Sequence, residues 1–189
     1  MSPLKRIFDI SLAILASILL VIPFFLVALA VKTTSKGPIF YWSDRVGVNN
    51  SIFKMPKFRT MNTDTPAVAT HLLNNPKQFL TPIGSFLRKS SLDELPQLWS
   101  IFKGDMSFVG PRPALFNQND LIDLRTEAGV HCLVPGLTGW AQVNGRDELP
   151  IAEKVLWDVE YLKRRSLGFD LKILLLTAKN VLLGKHVSH

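Results

Sequence analysis

The 22 positions from Ile10 to Val31 are apolar except for Ser11, Ser17 and Pro23. A segment of this kind must satisfy its own backbone hydrogen bonds, and in lipid that means a helix. Its length as a helix is roughly 33 Å, about the hydrocarbon thickness of a bilayer. A cleaved signal peptide fits poorly: the run is too long, and no small-x-small site stands clearly between it and Lys32. The same run explains a mean hydropathy of +0.20, high for a soluble domain.

How the segment sits in a bilayer is left with two answers. Pro23 removes the helical bond to the carbonyl of Leu19, a kink that a spanning helix tolerates. Yet Lys5 and Arg6 precede the run, and Lys32 and Lys36 follow it. If cationic flanks prefer the cytoplasmic side, both ends belong there. A helix bent at Pro23 that enters and leaves by one face satisfies both.

The 189 residues suffice for one domain besides the anchor. A net charge of +7 favours anionic partners: nucleic acid, anionic lipid or phosphorylated substrates. The cations are scattered, and Lys163-Arg164-Arg165 is the only run of three, so a nucleic-acid arm is not expected. The single cysteine, Cys132, fits a reducing compartment. One Cys and four scattered His make no zinc pattern, and no Walker loop, dinucleotide fingerprint or nucleophile elbow is present.

Gly37-Pro38 ends the anchor. Two β-prone stretches flank Asn49-Asn50 and predict a hairpin near residues 39–60, with Lys54, Lys57 and Arg59 on its second half. Asn62 to Pro82 reads as a loop with a short helix near Ala67–Leu73, His71 being a surface residue. Ile83 to Phe102 reads as mainly helical, with Leu92, Leu95, Leu98, Trp99 and Phe102 on one stripe that suits a core or a membrane interface. Further helices are expected over 117–128, 152–165 and 171–183.

The chemistry centres on Ser91-Leu92-Asp93-Glu94-Leu95-Pro96. Ser91-x-x-Glu94 is a capping box, which alone could explain the acids. Pro96 argues mildly against that frame, because it falls at the fifth helical position and forfeits a backbone bond. The functional reading is that one carboxylate attacks phosphorus or binds a hard divalent cation while its neighbour handles protons. Arg112 stands between Pro111 and Pro113, which hold it extended. A guanidinium so presented can grip a phosphate with two hydrogen bonds, or pair structurally with a carboxylate.

Lys57-Phe58-Arg59-Thr60-Met61, Arg88, Ser91 to Leu98, Lys103 to Ser107, Val109 to Pro113 and Pro135 to Gly139 come in the order and spacing of the bacterial sugar transferases. The chain resembles the small monotopic phosphoglycosyl transferases over nearly its whole length. The resemblance implies that Asp93 attacks the β-phosphate of a UDP-sugar and binds magnesium, with Glu94 as its partner acid. UMP leaves, and the phosphosugar then passes to undecaprenyl phosphate. Arg112, Arg88, Arg59 and Lys57 match phosphate-binding or basic positions, and Arg146 with Asn144 and Gly145 matches a nucleotide contact. Asp158 matches a recurrent acid without an assigned role. Small members often use UDP-N-acetylated amino sugars, including deoxy forms.

The implied fold is α+β and mostly helical. Residues 1–36 form a re-entrant membrane helix broken at Pro23, and residues 37–189 form a cytoplasmic catalytic domain with a small β-hairpin and interfacial amphipathic helices. Where the family often has Ser before the proline, this chain has Ile22. The expected location is the cytoplasmic face of a bacterial inner membrane, in surface-glycan assembly such as O-antigen or capsule. The rival from another class is a membrane-anchored basic scaffold for anionic lipid or a partner protein.

Overall fold

A computed structural model of the chain describes residues 1–66, 75–145 and 149–183. The helix expected near Ala67–Leu73, with His71, lies outside the described residues, as does Arg146. The rest is mostly helical with two small sheets.

Helix α1 (Pro3–Thr34) begins at Ser2, whose Oγ accepts from the amide of Lys5, and it is helical throughout, Pro23 included. It is long and apolar enough to cross a membrane. Its two halves join different cores. Ala13 is buried with Met55, Ile101, Met106, Phe108, Tyr161 and Phe169, whereas Val27 and Val31 are buried with Phe58 and Leu87. Around Pro23 the outer face carries exposed Ile18, Leu19, Ile22, Phe25 and Leu26.

Polar bonds fix both ends of α1 to the same body. Arg6 donates from Nη1 to the carbonyl of Ile101 (2.6 Å) and from Nη2 to that of Phe102 (2.7 Å). These carbonyls close helix α3 (Leu98–Lys103), so a cation there is worth about 0.3–1 kcal/mol, besides the bonds themselves. Lys5 pairs with buried Asp170 at 2.6 Å, and buried Asp9 accepts from the amide of Phe108 at 3.2 Å. At the other end, buried Arg59 donates to the carbonyl of Pro38 and to both the carbonyl and hydroxyl of Ser35.

The hairpin forms as expected. Strands β1 (Phe40–Val46) and β2 (Ile52–Phe58) pair antiparallel, with Tyr41 opposite Lys57. Asn49 and Asn50 take the left-handed conformation that closes the turn. The expected helix over 83–102 is instead three pieces: α2 (Gly84–Ser90), a 3₁₀ segment (Leu92–Gln97) and α3. The break is at Ser91, which is left-handed (φ 57°), and Pro96 inside the second piece has no N–H for an α-helical bond.

A second sheet was not foreseen. Strands β3 (Ser107–Val109) and β4 (Gly136–Thr138) pair in parallel. The glycines allow the approach: a Cβ on Gly136 would stand 2.1 Å from the amide nitrogen of Gly110. Helices α4 (Asn119–Glu127), α5 (Trp140–Asn144), α6 (Ile151–Arg164) and α7 (Leu167–Leu182) complete the fold. Helix α7 starts earlier than its apolar periodicity indicates, because Ser166 caps it by accepting from the amide of Phe169.

Candidate active site

The 3₁₀ segment packs on β2 and carries the two acids to Lys57. Glu94 Oε1 accepts from Lys57 Nζ at 2.9 Å and from Arg112 Nη2 at 3.2 Å. Asp93 is 7% exposed, and its Oδ2 lies 3.8 Å from Lys57 Nζ, beyond hydrogen-bond reach. The capping box does not form: no side-chain cap bond is made at Ser91, and Glu94 spends its carboxylate on the two cations.

Burial raises the Asp93 pKa above the ordinary carboxylate range. Lys57 opposes the rise most strongly, Glu94 adds to it, and Arg88 and Arg112 also oppose it. Arg88 is itself half-buried in α2, and its Nε donates to Thr60 Oγ1 at 3.0 Å. Burial lowers its pKa, and the charge of Asp93 raises it. Thus Lys57, Arg88, Asp93, Glu94 and Arg112 form one electrostatic cluster, drawn from β2, α2, the 3₁₀ segment and the loop after β3.

The other sequence candidates fall elsewhere. Arg59 grips the end of α1, as described above. Asn144 donates from Nδ2 to the carbonyl of Trp140 within its own helix, and Gly145 follows that helix. Asp158 is fully buried on α6 and accepts on Oδ2 from Arg125 Nε (2.9 Å) and Nη2 (2.6 Å). Burial raises its pKa as well, against the charge and hydrogen bonds of Arg125.

Sequence reasoning missed Arg125 and Arg45. Arg125 Nη1 donates to the carbonyl of Arg112 at 2.8 Å, and Arg45 Nη1 donates to that of Pro113 at 3.2 Å. Arg125 reads as one more charge on an amphipathic helix, and Arg45 as one more on a strand. Only the fold brings them to the Pro-Arg-Pro loop.

No cluster of three or more His, Cys, Asp or Glu side chains forms among the described residues. That does not disfavour magnesium, which commonly takes one or two carboxylates and completes its shell with water and substrate phosphate. The adjacent Asp93 and Glu94 are hard oxygen donors of the right kind and number for such a site.

Beside the acids, an apolar cavity of about 430 Å³ opens between α1 and the segment carrying them. Leu20, Phe24, Phe40, Pro56, Leu95 and Trp99 are among its walls. Pro56 precedes Lys57 and Leu95 follows Glu94, so the cavity and the charged cluster share two backbone segments. A charged cluster joined to an apolar pocket, at the base of a membrane-length helix, suits a phosphate borne on an apolar chain.

The chain belongs to the bacterial sugar transferase family, whose sequence model matches residues 1–184. It is 41% identical to the sugar transferase EpsL of Bacillus subtilis (strain 168), over 97% of this chain and 90% of that protein. It is also 41% identical to the UDP-glucose:undecaprenyl-phosphate glucose-1-phosphate transferase of Escherichia coli (strain K12), over 92% of this chain. The undecaprenyl-phosphate glucose phosphotransferase of Komagataeibacter xylinus is 38% identical over 96% of this chain. The chain spans 39% and 36% of those two longer proteins.

Proposed function

We propose that this protein transfers a sugar-1-phosphate from a UDP-sugar to undecaprenyl phosphate, releasing UMP, as a membrane step of surface-glycan synthesis. The observation that carries the reading is the union of a buried carboxylate pair, its cations and the adjoining apolar cavity. A scaffold that merely bound anionic lipid would have no use for an acid buried against its own charge.

Asp93 is the nucleophile. Its carboxylate oxygen attacks the β-phosphorus, and the bond from that phosphorus to the bridging oxygen breaks. UMP departs with that oxygen, leaving an aspartyl phosphosugar. An oxygen of undecaprenyl phosphate then attacks the same phosphorus, the aspartyl O–P bond breaks, and Asp93 is regenerated. Arg112, Arg88 and Lys57 hold phosphate oxygens and offset the charge gathering on them. Glu94, clamped by Lys57 and Arg112, orients those cations and handles protons near the incoming phosphate. Magnesium, held by Asp93 with Glu94 beside it, supplies charge neutralisation to the diphosphate when bound.

The apolar cavity takes the first isoprene units of the acceptor, which brings its phosphate to Glu94. Helix α1 enters and leaves the bilayer by the cytoplasmic face of a bacterial inner membrane. Support for that comes from Lys5 and Arg6 at one end and the Ser35–Arg59 contact at the other, all on one body. Exposed Trp42, Trp99, Phe86 and Leu175 are suited to the interface. For the sugar, the relatives named for glucose put UDP-glucose first, and UDP-N-acetylated amino sugars come next.

The test is UMP release from a panel of UDP-sugars with undecaprenyl phosphate and magnesium, followed by mass spectrometry of protein incubated with donor alone. The expected result is UMP from at least one donor and a phosphosugar adduct on Asp93. No release from any donor overturns the transferase reading, and an adduct elsewhere overturns the nucleophile.

A further inference from the structure

The loop that presents Arg112 is held by its carbonyls. Pro111 accepts from the amide of Gly136, Arg112 from Arg125, Pro113 from Arg45 and Ala114 from the amide of Val46. Four successive oxygens are thus taken by donors from β4, α4 and β1. Two of the four residues are proline and donate nothing from the backbone. The peptide unit between Arg112 and Pro113 therefore has one polar group, the Arg112 carbonyl. The direction of that carbonyl decides how the unit lies, and with it where the Arg112 side chain starts.

Its donor is not a flexible surface arginine. Nε and Nη2 of Arg125 converge on Oδ2 of Asp158, which is 1% exposed, and the opposite nitrogen, Nη1, reaches the Arg112 carbonyl. A salt bridge serving only to join α4 to α6 would be complete without that third bond. A lysine could keep the charge pair but has no planar fork to span both acceptors.

We propose that Arg125, fixed by Asp158, is a positioning residue that aims Arg112 at the phosphates, and that this is the role of Asp158. The inference rests on the transferase reading, with Arg112 as a phosphate-binding group. Neither Arg125 nor Asp158 touches the reacting atoms; both act through the Arg112 carbonyl.

The test is a double-mutant cycle of Arg125→Lys with Arg112→Lys, in the full-length protein in lipid nanodiscs, with UDP-glucose and then the donor panel. UMP release by the unaltered protein is measured first, and its absence overturns the transferase reading before any variant is compared. Given release, Arg125→Lys is expected to lower kcat/KM by about 100-fold, the scale of an ångström's misplacement at a reacting centre. Adding Arg112→Lys should then cost little more, because the misaimed group has already lost its function. A near-normal rate in Arg125→Lys overturns the proposal. So does an Arg112→Lys penalty of the same size in both backgrounds, which is what a merely structural role gives. If Arg125→Lys does not fold, Asp158→Asn replaces it in the cycle under the same two criteria.

Discussion

Asp93 and Asp158 are the same kind of side chain, both nearly inaccessible, and burial raises the pKa of both. They differ in what meets the charge. Asp158 has two guanidinium N–H groups on one oxygen, at 2.6 and 2.9 Å. Asp93 has an ammonium 3.8 Å away and a second carboxylate as its neighbour in sequence. The first arrangement repays desolvation with short charge-assisted bonds, and the second leaves much of it unpaid. A carboxylate kept buried, weakly paired and within reach of phosphate-binding cations is poised to form a bond, whereas a saturated one holds other groups in place.

The largest way to break this contrast is Asp93→Asn. The expected loss of UMP release is at least ~10³-fold, with no adduct by mass spectrometry, because the amide cannot attack phosphorus. Its thermal midpoint should hold or rise, since a poorly compensated buried charge has gone. Asp158→Asn should do the reverse in stability, costing on the order of 2 kcal/mol, because Arg125 keeps its charge and loses its counter-charge. Calorimetry or denaturant unfolding of the two variants side by side reads the difference. A lower midpoint for Asp93→Asn than for Asp158→Asn would mean that the two acids are structurally alike.

Between those effects and the smallest stands the cavity. Trp99→Asp puts a charge on its wall without altering the cation cluster. The expected outcome is about a tenfold rise in KM for undecaprenyl phosphate, the cost of roughly one unfavourable contact, with KM for the UDP-sugar little changed. Equal rises for both substrates would mean that the cavity is not the acceptor's.

The sequence made the local parts legible and hid the joins. The hairpin could be read because Asn49-Asn50 tolerates the left-handed turn and the flanking residues suit strands. The acids, Lys57, Arg88 and Arg112 could be picked out because proline context and family spacing mark them. Ser91 could not: serine has no strong preference for φ 57°, so nothing announced that the expected helix would break there. The β3–β4 pair is only three residues a strand and depends on contact across 29 positions, which periodicity does not register. Asp158 was visible as a recurrent acid, but its meaning lay in Arg125, 33 residues earlier, and in a backbone carbonyl.

The smallest effect is on pH dependence, and it tests how loosely Asp93 is held. Asp93 must be ionised to attack, so transfer is lost as pH falls through its raised pKa, and the acidic limb of kcat/KM lies above the usual carboxylate range. Among the charges around it Lys57 favours the ionised form most, so Lys57→Gln removes the main opposition to burial and to Glu94. The pKa rises further, and the acidic limb moves to higher pH. Well above the limb Asp93 is ionised in both proteins, and only the phosphate contact of Lys57 is missing there. A pH profile of UMP release at fixed magnesium reads both regions. If the limb stays in place and the rate falls equally at every pH, Lys57 serves the phosphate alone. A limb moved upward makes Lys57 the group that keeps the buried nucleophile charged, a task that Arg125 performs for Asp158 with two direct bonds.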